Sequence, residues 1–151
     1  MTPTLKRLSR SDMDAAALVH RASFDERLPT LASLHTPEED RGFFGGPVFD
    51  ECTVWGAWEG ERLVGFIAFK PGWVEQLYVL PGDQNKGIGA SLLALVKVEN
   101  AELLLWTFQR NEGARRFYET HGFEAVEETD GSGNEEKEPD VLYRWRAAAS
   151  A

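Results

Sequence analysis

A glycine-containing loop between an apolar strand and a helix is the part of this sequence best suited to chemistry. Trp73 to Leu80 predicts a strand, and the loop Gln84-Asn85-Lys86-Gly87-Ile88-Gly89 opens directly into a predicted helix. Gly87 and Gly89 leave the backbone open to a ligand, and the loop N–H groups lie at the positive end of a helix dipole. These features favour a pocket for an anion such as phosphate. A tight strand-to-helix connection, with glycines for close packing, fits the same residues.

Two well-known phosphate-binding loops do not match this segment. A P-loop requires Gly-Lys followed by Ser or Thr, whereas here Gly89 is followed by Ala90 and Ser91. The dinucleotide-binding fingerprint requires a third glycine three positions after Gly89, and Leu92 occupies that position. The sequence therefore argues against both nucleotide-binding motifs.

A second group of residues follows the next predicted strand, Leu103 to Phe108. Asn111 comes first, and the segment Gly113 to Phe123 then carries Phe117-Tyr118 before a closing Gly-Phe. Together with Gln84-x-x-Gly87-x-Gly89 behind Leu77-Tyr78-Val79, this arrangement resembles the acetyl-CoA signature of the GCN5-related N-acetyltransferases (GNAT). The resemblance covers roughly residues 50 to 145.

The resemblance implies acetyl-CoA as co-substrate and a set of residues that hold it. The loop would bind the diphosphate mainly through backbone N–H groups, and the strand before it would bind the pantetheine arm through its main chain. Asn111 would contact the arm, although its position also suits a helix N-cap. Lys86 would add a charge contact or remain a solvated loop lysine. The cofactor-binding candidates are Leu77, Val79, Gln84, Asn85, Lys86, Gly87, Ile88, Gly89, Ala90 and Asn111.

Tyr118 is the candidate general acid. In the resembled family, a tyrosine at this Phe-Tyr position donates a proton to the thiolate of coenzyme A. A phenol with a reference pKa of about 10 is reasonably matched to a thiol leaving group. Ala114, Phe117 and Tyr118 share one helix face, so a core tyrosine is the alternative.

Glu75 is the candidate base for the attacking amine. It lies in the central strand two residues before Leu77, and a carboxylate in a mostly apolar strand is unusual. Binding of a cationic substrate and exposure at a solvated sheet edge are the alternatives. His20 and His121 are weaker candidates for the base, and no metal ligands are predicted.

The predicted reaction is transfer of an acetyl group from acetyl-CoA to a primary amine of a small molecule or peptide, which attacks the thioester directly. By the resemblance, the acceptor site lies within Phe24 to Phe49 and nearby loops. Five aromatic residues could wall that site, or could simply belong to the core: Phe43, Phe44, Trp55, Trp58 and Trp73. A non-catalytic acyl-CoA-binding module, acting as a sensor or partner subunit, is the competing hypothesis. Transfer of a longer acyl group is a third.

Composition sets further bounds on the function. The net charge of −9 disfavours nucleic acid as a main partner and suits a cationic substrate, although many acidic proteins are merely soluble.

Cys52 is the single cysteine, lies in an apolar run and is interpreted as a core residue. No run approaches the roughly 20 apolar residues of a membrane span, and the N-terminus lacks a signal-peptide core, so no membrane partner and a cytoplasmic location are expected. The oligomeric state is left open, a homodimer included.

The elements that must position these residues predict one α/β domain over residues 1–151. The order is strand, helices, three-strand meander, helix, strand, helix and two strands. A helix joins the fourth strand to the fifth, so these two should run parallel. The resemblance implies a GNAT-like mixed central sheet of about seven strands with flanking helices, in which the fourth and fifth strands splay apart. The polar segment Thr129 to Asp140 is predicted to be a mobile loop.

Overall fold

Seven strands form one mixed sheet in the computed structural model, which describes residues 2–31 and 34–148. The strands are β1 (Thr4–Arg7), β2 (Thr53–Glu59), β3 (Arg62–Lys70), β4 (Trp73–Val79), β5 (Glu102–Phe108), β6 (Glu124–Glu128) and β7 (Asp140–Arg146). The helices are α1 (Met13–Arg27), α2 (Pro37–Phe43), α3 (Phe49–Glu51), α4 (Ile88–Val98) and α5 (Glu112–Thr120). The strand order is β1-β2-β3-β4-β5-β7-β6, and β4 and β5 are parallel while the other pairs are antiparallel. The predicted mixed α/β fold is confirmed.

Helices cover both faces of the sheet, so that it separates two apolar cores. On one face, α1 and the α2–α3 segment pack over β3 through residues such as Met13, Ala16 and Phe44. On the other face, α4 and α5 cover the sheet through residues such as Leu92 and Tyr118. The mostly apolar run Leu103 to Phe108 predicts a strand covered on both faces, and this prediction is wrong. Leu103 and Leu105 are buried but Trp106 is 44% exposed, because α1 packs mainly over β3 and β4 and meets β5 through the Phe24–Phe108 ring contact near the end of the strand.

Short-range signals account for most element boundaries. Thr36 caps α2, since its Oγ1 accepts the Glu39 N–H at 3.1 Å and its own N–H donates to Glu39 Oε1 at 2.9 Å. The run Gly45-Gly46-Pro47 predicts an end to this helix, and that prediction is wrong. A π-helical turn, Phe44–Val48, continues the coil into α3, because burial of Phe44 and Val48 holds the turn against the core.

The C-terminus of α5 is fixed by Gly122, which the sequence predicts as a left-handed helix cap. Gly122 has φ +89°, the Phe123 N–H donates to the Tyr118 carbonyl at 3.0 Å and the Gly122 N–H donates to the Glu119 carbonyl at 3.2 Å. These two bonds form a Schellman motif. The motif fixes the register of Tyr118 in the last turn of the helix.

Parts of two further segments lie outside the described residues. The sequence predicts a second helix or an irregular segment over Leu28 to Leu34; Pro29–Leu31 forms a 3₁₀ turn there, and residues 32–33 are not described. The tail Ala147 to Ala151 is predicted to fray; the Ala147 N–H donates to the Ala101 carbonyl at 2.8 Å, and residues 149–151 are not described. Across the described ranges, no helix combines the length and apolar character that a bilayer crossing needs.

The segment between β6 and β7 has no regular secondary structure but makes many polar contacts. Asn134 Nδ2 donates to the Glu138 carbonyl at 2.8 Å, and buried Glu138 pairs with Arg110. Gly131 is buried at φ +83°, and a Cβ there would overlap the Glu138 backbone. The sequence predicts a mobile loop, whereas these contacts indicate a loop with specific packing.

Gly131→Ala should lower the free energy of unfolding by about 1–3 kcal/mol, because the new methyl group meets backbone atoms at a left-handed φ. Denaturant unfolding measures the loss. Gly133→Ala is the matched control, since a Cβ at Gly133 has no neighbour within 4 Å. Equal stabilities of the two variants would show that the loop is not packed in solution and would favour the mobile-loop prediction.

Candidate active site

β4 and β5 diverge and open a cleft in the middle of the sheet. They pair only at Trp73 and Leu104 among the described residues, where the Leu104 N–H donates to the Gly72 carbonyl at 2.9 Å. Beyond this point the strands separate around a cavity of about 590 Å³. The predicted splaying of the fourth and fifth strands is confirmed.

The main chain of β4 faces this cleft at alternate residues. The Leu80 N–H donates to the Val64 carbonyl at 2.8 Å, so backbone groups at that position point toward β3. Because strand backbone groups alternate in direction, those of Val79 and Leu77 point into the cleft. The Val79 carbonyl accepts from the Gln84 side chain at 3.0 Å, and an extended ligand could provide partners for other groups on this edge.

The loop before α4 has the backbone conformation of an anion site. Asn85 and Gly87 have left-handed φ values of +65° and +83°, and Gly87 is the N-cap of α4. Left-handed residues in a turn can direct successive N–H groups toward one concave side, at the positive end of the helix. A Cβ at Gly87 would have no neighbour within 4 Å, so the backbone is open on that side.

Gly89 differs from Gly87 in what its missing side chain allows. A Cβ at Gly89 would lie 3.2 Å from two ring carbons of Phe117. The absent side chain therefore allows close packing of Phe117 of α5 against α4, the alternative given for the loop glycines, while Gly89 also lines the cavity. At Gly89 the missing side chain allows close packing, and at Gly87 it leaves the backbone exposed.

The polar side chains at the start of this loop are held by specific partners. Gln84 Nε2 donates to the Val79 carbonyl at 3.0 Å, which ties the loop to the end of β4. Lys86 Nζ lies 3.2 Å from Asp83 Oδ1, and Asp83 also accepts two bonds of 3.0 Å from Arg62. The Lys86 side chain does not line the cavity. Of the ten cofactor-binding candidates, Lys86 alone is absent from its walls.

Asn111 lies at the opposite side of the cleft. Its Oδ1 accepts the Ala114 N–H at 3.2 Å, so it is the N-cap of α5, and the residue also lines the cavity. The alternative predicted for this residue, a helix cap, is confirmed. Contact with a cofactor arm stays a prediction.

Tyr118 is a wall residue that is almost fully buried. It is 8% exposed, and its ring packs against Phe123 with centroids 5.5 Å apart. Burial raises the pKa of its phenol well above the ordinary value, and the nearby Tyr78 phenol adds to this increase. The hydroxyl therefore keeps its proton throughout the neutral pH range.

Glu75 lies at a bulge in β4. Val74 pairs with Phe69 and Gln76 with Ala68, which leaves Glu75 as the extra residue. Its side chain is 38% exposed, lines the cavity and lies 3.5 Å from Lys70 Nζ. The bulge thus places an acidic residue among the cavity walls, with its carboxylate beside Lys70, in a strand that is otherwise mostly apolar.

The two histidine candidates occupy apolar surroundings. His20 does not line the cavity, and burial lowers its pKa to about 4, so it is neutral at physiological pH. His121 lines the cavity next to the Phe117 ring at 4.5 Å, and burial lowers its pKa as well. A neutral imidazole at His121 could accept a proton, but its ring is held at the end of α5.

Several wall residues were not among the sequence candidates. Tyr78 is half-buried, and desolvation of its phenol together with the charge of Glu136 raises its pKa to about 12. Arg27 and Glu136 come from α1 and the β6–β7 segment. Tyr78 lay within the quoted Leu77-Tyr78-Val79 motif, so alternation along the strand could have identified it. No local signal identified Arg27 or Glu136, because both reach the cleft from elements distant in sequence.

The aromatic walls also differ from those expected. None of Phe43, Phe44, Trp55, Trp58 and Trp73 lines the cavity. Phe44 is buried in the core beneath α1, and Phe43 is 49% exposed. The aromatic residues that do line the cavity are Phe24, Tyr78, Trp106, Phe108, Phe117 and Tyr118.

Comparisons with known proteins agree with this geometry. The acetyltransferase (GNAT) domain model matches residues 50–125. Peptidyl-lysine N-acetyltransferase YiaC of Escherichia coli is 32% identical over 72 residues, which cover 46% of this chain and 49% of YiaC. The chain spans about half the length of the curated relatives it matches.

Solved structures share the fold over nearly the whole chain. Apo YjaB from Escherichia coli gives a TM-score of 0.83 at 19% identity and covers 98% of this chain and 100% of its own. The PaiA N-acetyltransferase from Thermoplasma acidophilum, solved with coenzyme A, gives 0.72 at 23% identity and covers 97% and 100%. At these identities the likeness establishes the fold.

The matched residues 50–125 include β4, the loop before α4, Asn111 and Tyr118. Acetyl-CoA is the co-substrate of the proteins that this domain model describes. The family match spans half of the chain and falls on the elements that build the cleft. The chain belongs to the GNAT acetyltransferase family.

Proposed function

We propose that this protein transfers an acetyl group from acetyl-CoA to a primary amine of a small molecule or peptide, by direct attack of the amine on the thioester. The observation that carries this proposal is the splayed cleft. It joins a phosphate-type loop, the cleft-facing main chain of β4, a buried phenol and a carboxylate-bearing residue in one cavity of about 590 Å³.

The residues present fit acetyl-CoA. Backbone N–H groups from Gln84 to Ala90 would hold the diphosphate at the N-terminus of α4, where Gly87 leaves the approach open. The cleft-facing main-chain groups of Leu77 and Val79 would bind the amides of the pantetheine arm, in the manner of an added strand. Asn111 would contact the arm through the amide nitrogen that its capping bond leaves free.

When bound, acetyl-CoA supplies a thioester with a thiolate leaving group. Tyr118 would donate its phenolic proton to the departing sulfur. Its raised pKa keeps that proton in place until the sulfur becomes charged. The same apolar surroundings raise the pKa of a thiol, so the two groups remain matched for proton transfer.

An amine must be neutral to attack, and Glu75 is placed to take its proton. The carboxylate lines the cavity and remains partly exposed, so it can act directly or through a water. The carboxylate also forms an ion pair with Lys70 Nζ at 3.5 Å.

Carboxylates in the cavity favour a cationic acceptor. Glu136 lies close enough to Tyr78 to influence the pKa of its phenol, and Glu75 adds a second negative charge. An ammonium group would be attracted to both, consistent with the net charge of −9. The relative YiaC is named a peptidyl-lysine N-acetyltransferase, and a lysine side chain belongs to this class of amine.

The proposal is tested by thiol release from acetyl-CoA over a panel of small amines and lysine-containing peptides, together with calorimetry of cofactor binding. Amine-dependent release of free thiol is the expected result. Tight cofactor binding without thiol release for any amine would contradict the proposal and support the non-catalytic binding module.

Glu75→Gln should lower the maximal rate and flatten the acidic limb of its pH profile, with the Michaelis constant for the amine nearly unchanged. The amide keeps the shape of the side chain but cannot take up the proton. Steady-state kinetics across pH measures both parameters.

Glu61→Gln is the matched control, because Glu61 is an exposed carboxylate in the β2–β3 turn and does not line the cavity. A higher Michaelis constant with the saturated rate preserved would instead show that Glu75 only attracts the cationic substrate. In that case added salt should weaken the effect. A variant like wild type in both parameters would exclude Glu75 from the site.

A further inference from the structure

Arg27 spans the wide end of the cleft. It is the last residue of α1, and its Nη2 donates to Gln84 Oε1 at the start of the phosphate-type loop. On the other side, its guanidinium occupies the space beside Gly113 in the first turn of α5, where a methyl group on Gly113 would overlap Nη1. One side chain thus contacts both sides of the cleft beyond the point at which β4 and β5 separate.

Arg27 also differs in charge from the other walls of the cavity. Among the described residues that line it, Arg27 is the only lysine or arginine, whereas four are carboxylates: Glu75, Asp83, Glu136 and Asp140. Lys86, the cation within the loop itself, is paired with Asp83 and does not line the cavity. Arg27 forms no ion pair with the described residues.

A diphosphate in an acidic cavity requires a cation as well as backbone N–H groups. A guanidinium can donate two parallel bonds to phosphate oxygens, and it is more weakly hydrated than an ammonium group. Gln84 would position it, because the Gln84 amide donates to Val79 and accepts from Arg27 at the same time.

We infer that Arg27 is the cationic side chain that binds the diphosphate of acetyl-CoA, opposite the N-terminus of α4. The inference rests on the proposed placement of the diphosphate at Gln84 to Ala90. With this assignment, the C-terminal end of α1 contacts the cofactor. This contact is separate from the acceptor site, to which the residues after Phe24 are expected to contribute.

Calorimetry with coenzyme A and with dephospho-coenzyme A tests the inference. Arg27→Met should weaken binding of both ligands by a similar factor of about 10 to 100, the range for loss of a charge-assisted hydrogen-bonded contact. Arg27→Lys should recover part of the loss, since it keeps the charge without the planar fork. Thermal unfolding of the free variants checks that the fold is intact.

Arg7→Met is the matched control, because it removes the same charge from exposed Arg7 in β1, at the far edge of the sheet. Its affinity should match that of wild type. A loss for Arg27→Met confined to coenzyme A would assign the contact to the 3′-phosphate, and tighter binding would show that the guanidinium obstructs the cleft. Either result, or unchanged binding, would overturn the inference. Failure of the loop placement is detected separately, by normal cofactor binding to Gly87→Val.

Discussion

Gly87→Val should abolish detectable binding of acetyl-CoA while the protein remains folded. Gly87 is at φ +83° and ψ 4°, a region in which a β-branched residue is strained. The loop must therefore shift its backbone, which moves the N–H groups proposed to bind the diphosphate. Any valine side chain that keeps the original backbone would project into the open side from which the ligand approaches.

Two measurements report this loss. Calorimetry gives the affinity directly. Thermal unfolding gives it by mass action, because a ligand at 100 times its dissociation constant stabilises the native state by about 2.7 kcal/mol. The wild-type melting temperature should rise with acetyl-CoA, and that of Gly87→Val should not.

Gly60→Val separates backbone strain from loss of the site. Gly60 also has a positive φ, +63°, with no neighbour within 4 Å of a built Cβ, but it lies in the β2–β3 turn away from the cleft. Its variant should melt at a lower temperature than wild type and still respond to acetyl-CoA. Normal binding by Gly87→Val would show that the diphosphate does not lie against this loop.

Sequence alone predicted the elements whose boundaries depend on local chemistry. Thr36-Pro37-Glu38-Glu39 has the pattern of a capped helix start, and the reciprocal bonds between Thr36 and Glu39 start α2. A glycine at position 122 predicts a left-handed cap, and Gly122 ends α5 in that conformation. The parallel pairing of β4 and β5 followed from the helix between them. These features need only a few neighbouring residues, so a short stretch of sequence contains the necessary information.

Features that depend on distant contacts were not predicted. The apolar spacing from Met13 predicts a first helix that ends near Phe24, whereas α1 continues to Arg27, which contacts Gln84 57 positions further along the chain. The packing of Gly89 under Phe117 likewise depends on how α4 and α5 cross. The exposed side of Trp106 depends on which strands α1 covers. Each of these is decided by the arrangement of whole elements, and residue patterns do not specify that arrangement.

Tyr118→Phe should reduce turnover by about 10- to 1000-fold with little change in cofactor affinity, the range of one proton-transfer contribution. The ring stays packed against Phe123, so only the hydroxyl is lost. Because burial raises the pKa of the Tyr118 phenol, wild-type turnover should show no loss from its ionisation as the pH rises to about 9. Steady-state thiol release, with the chemical step shown to limit the rate, measures the effect.

Tyr143→Phe is the control that distinguishes a catalytic hydroxyl from a structural one. Tyr143 is fully buried, donates to Glu119 Oε2 at 2.7 Å, accepts from Arg115 Nε at 2.9 Å and does not line the cavity. Its variant should lose about 1 kcal/mol of stability for the missing hydrogen bonds and keep its turnover. If Tyr118→Phe behaves in the same way, losing stability alone, the phenol of Tyr118 belongs to the core and the leaving thiolate takes its proton from another donor, such as solvent.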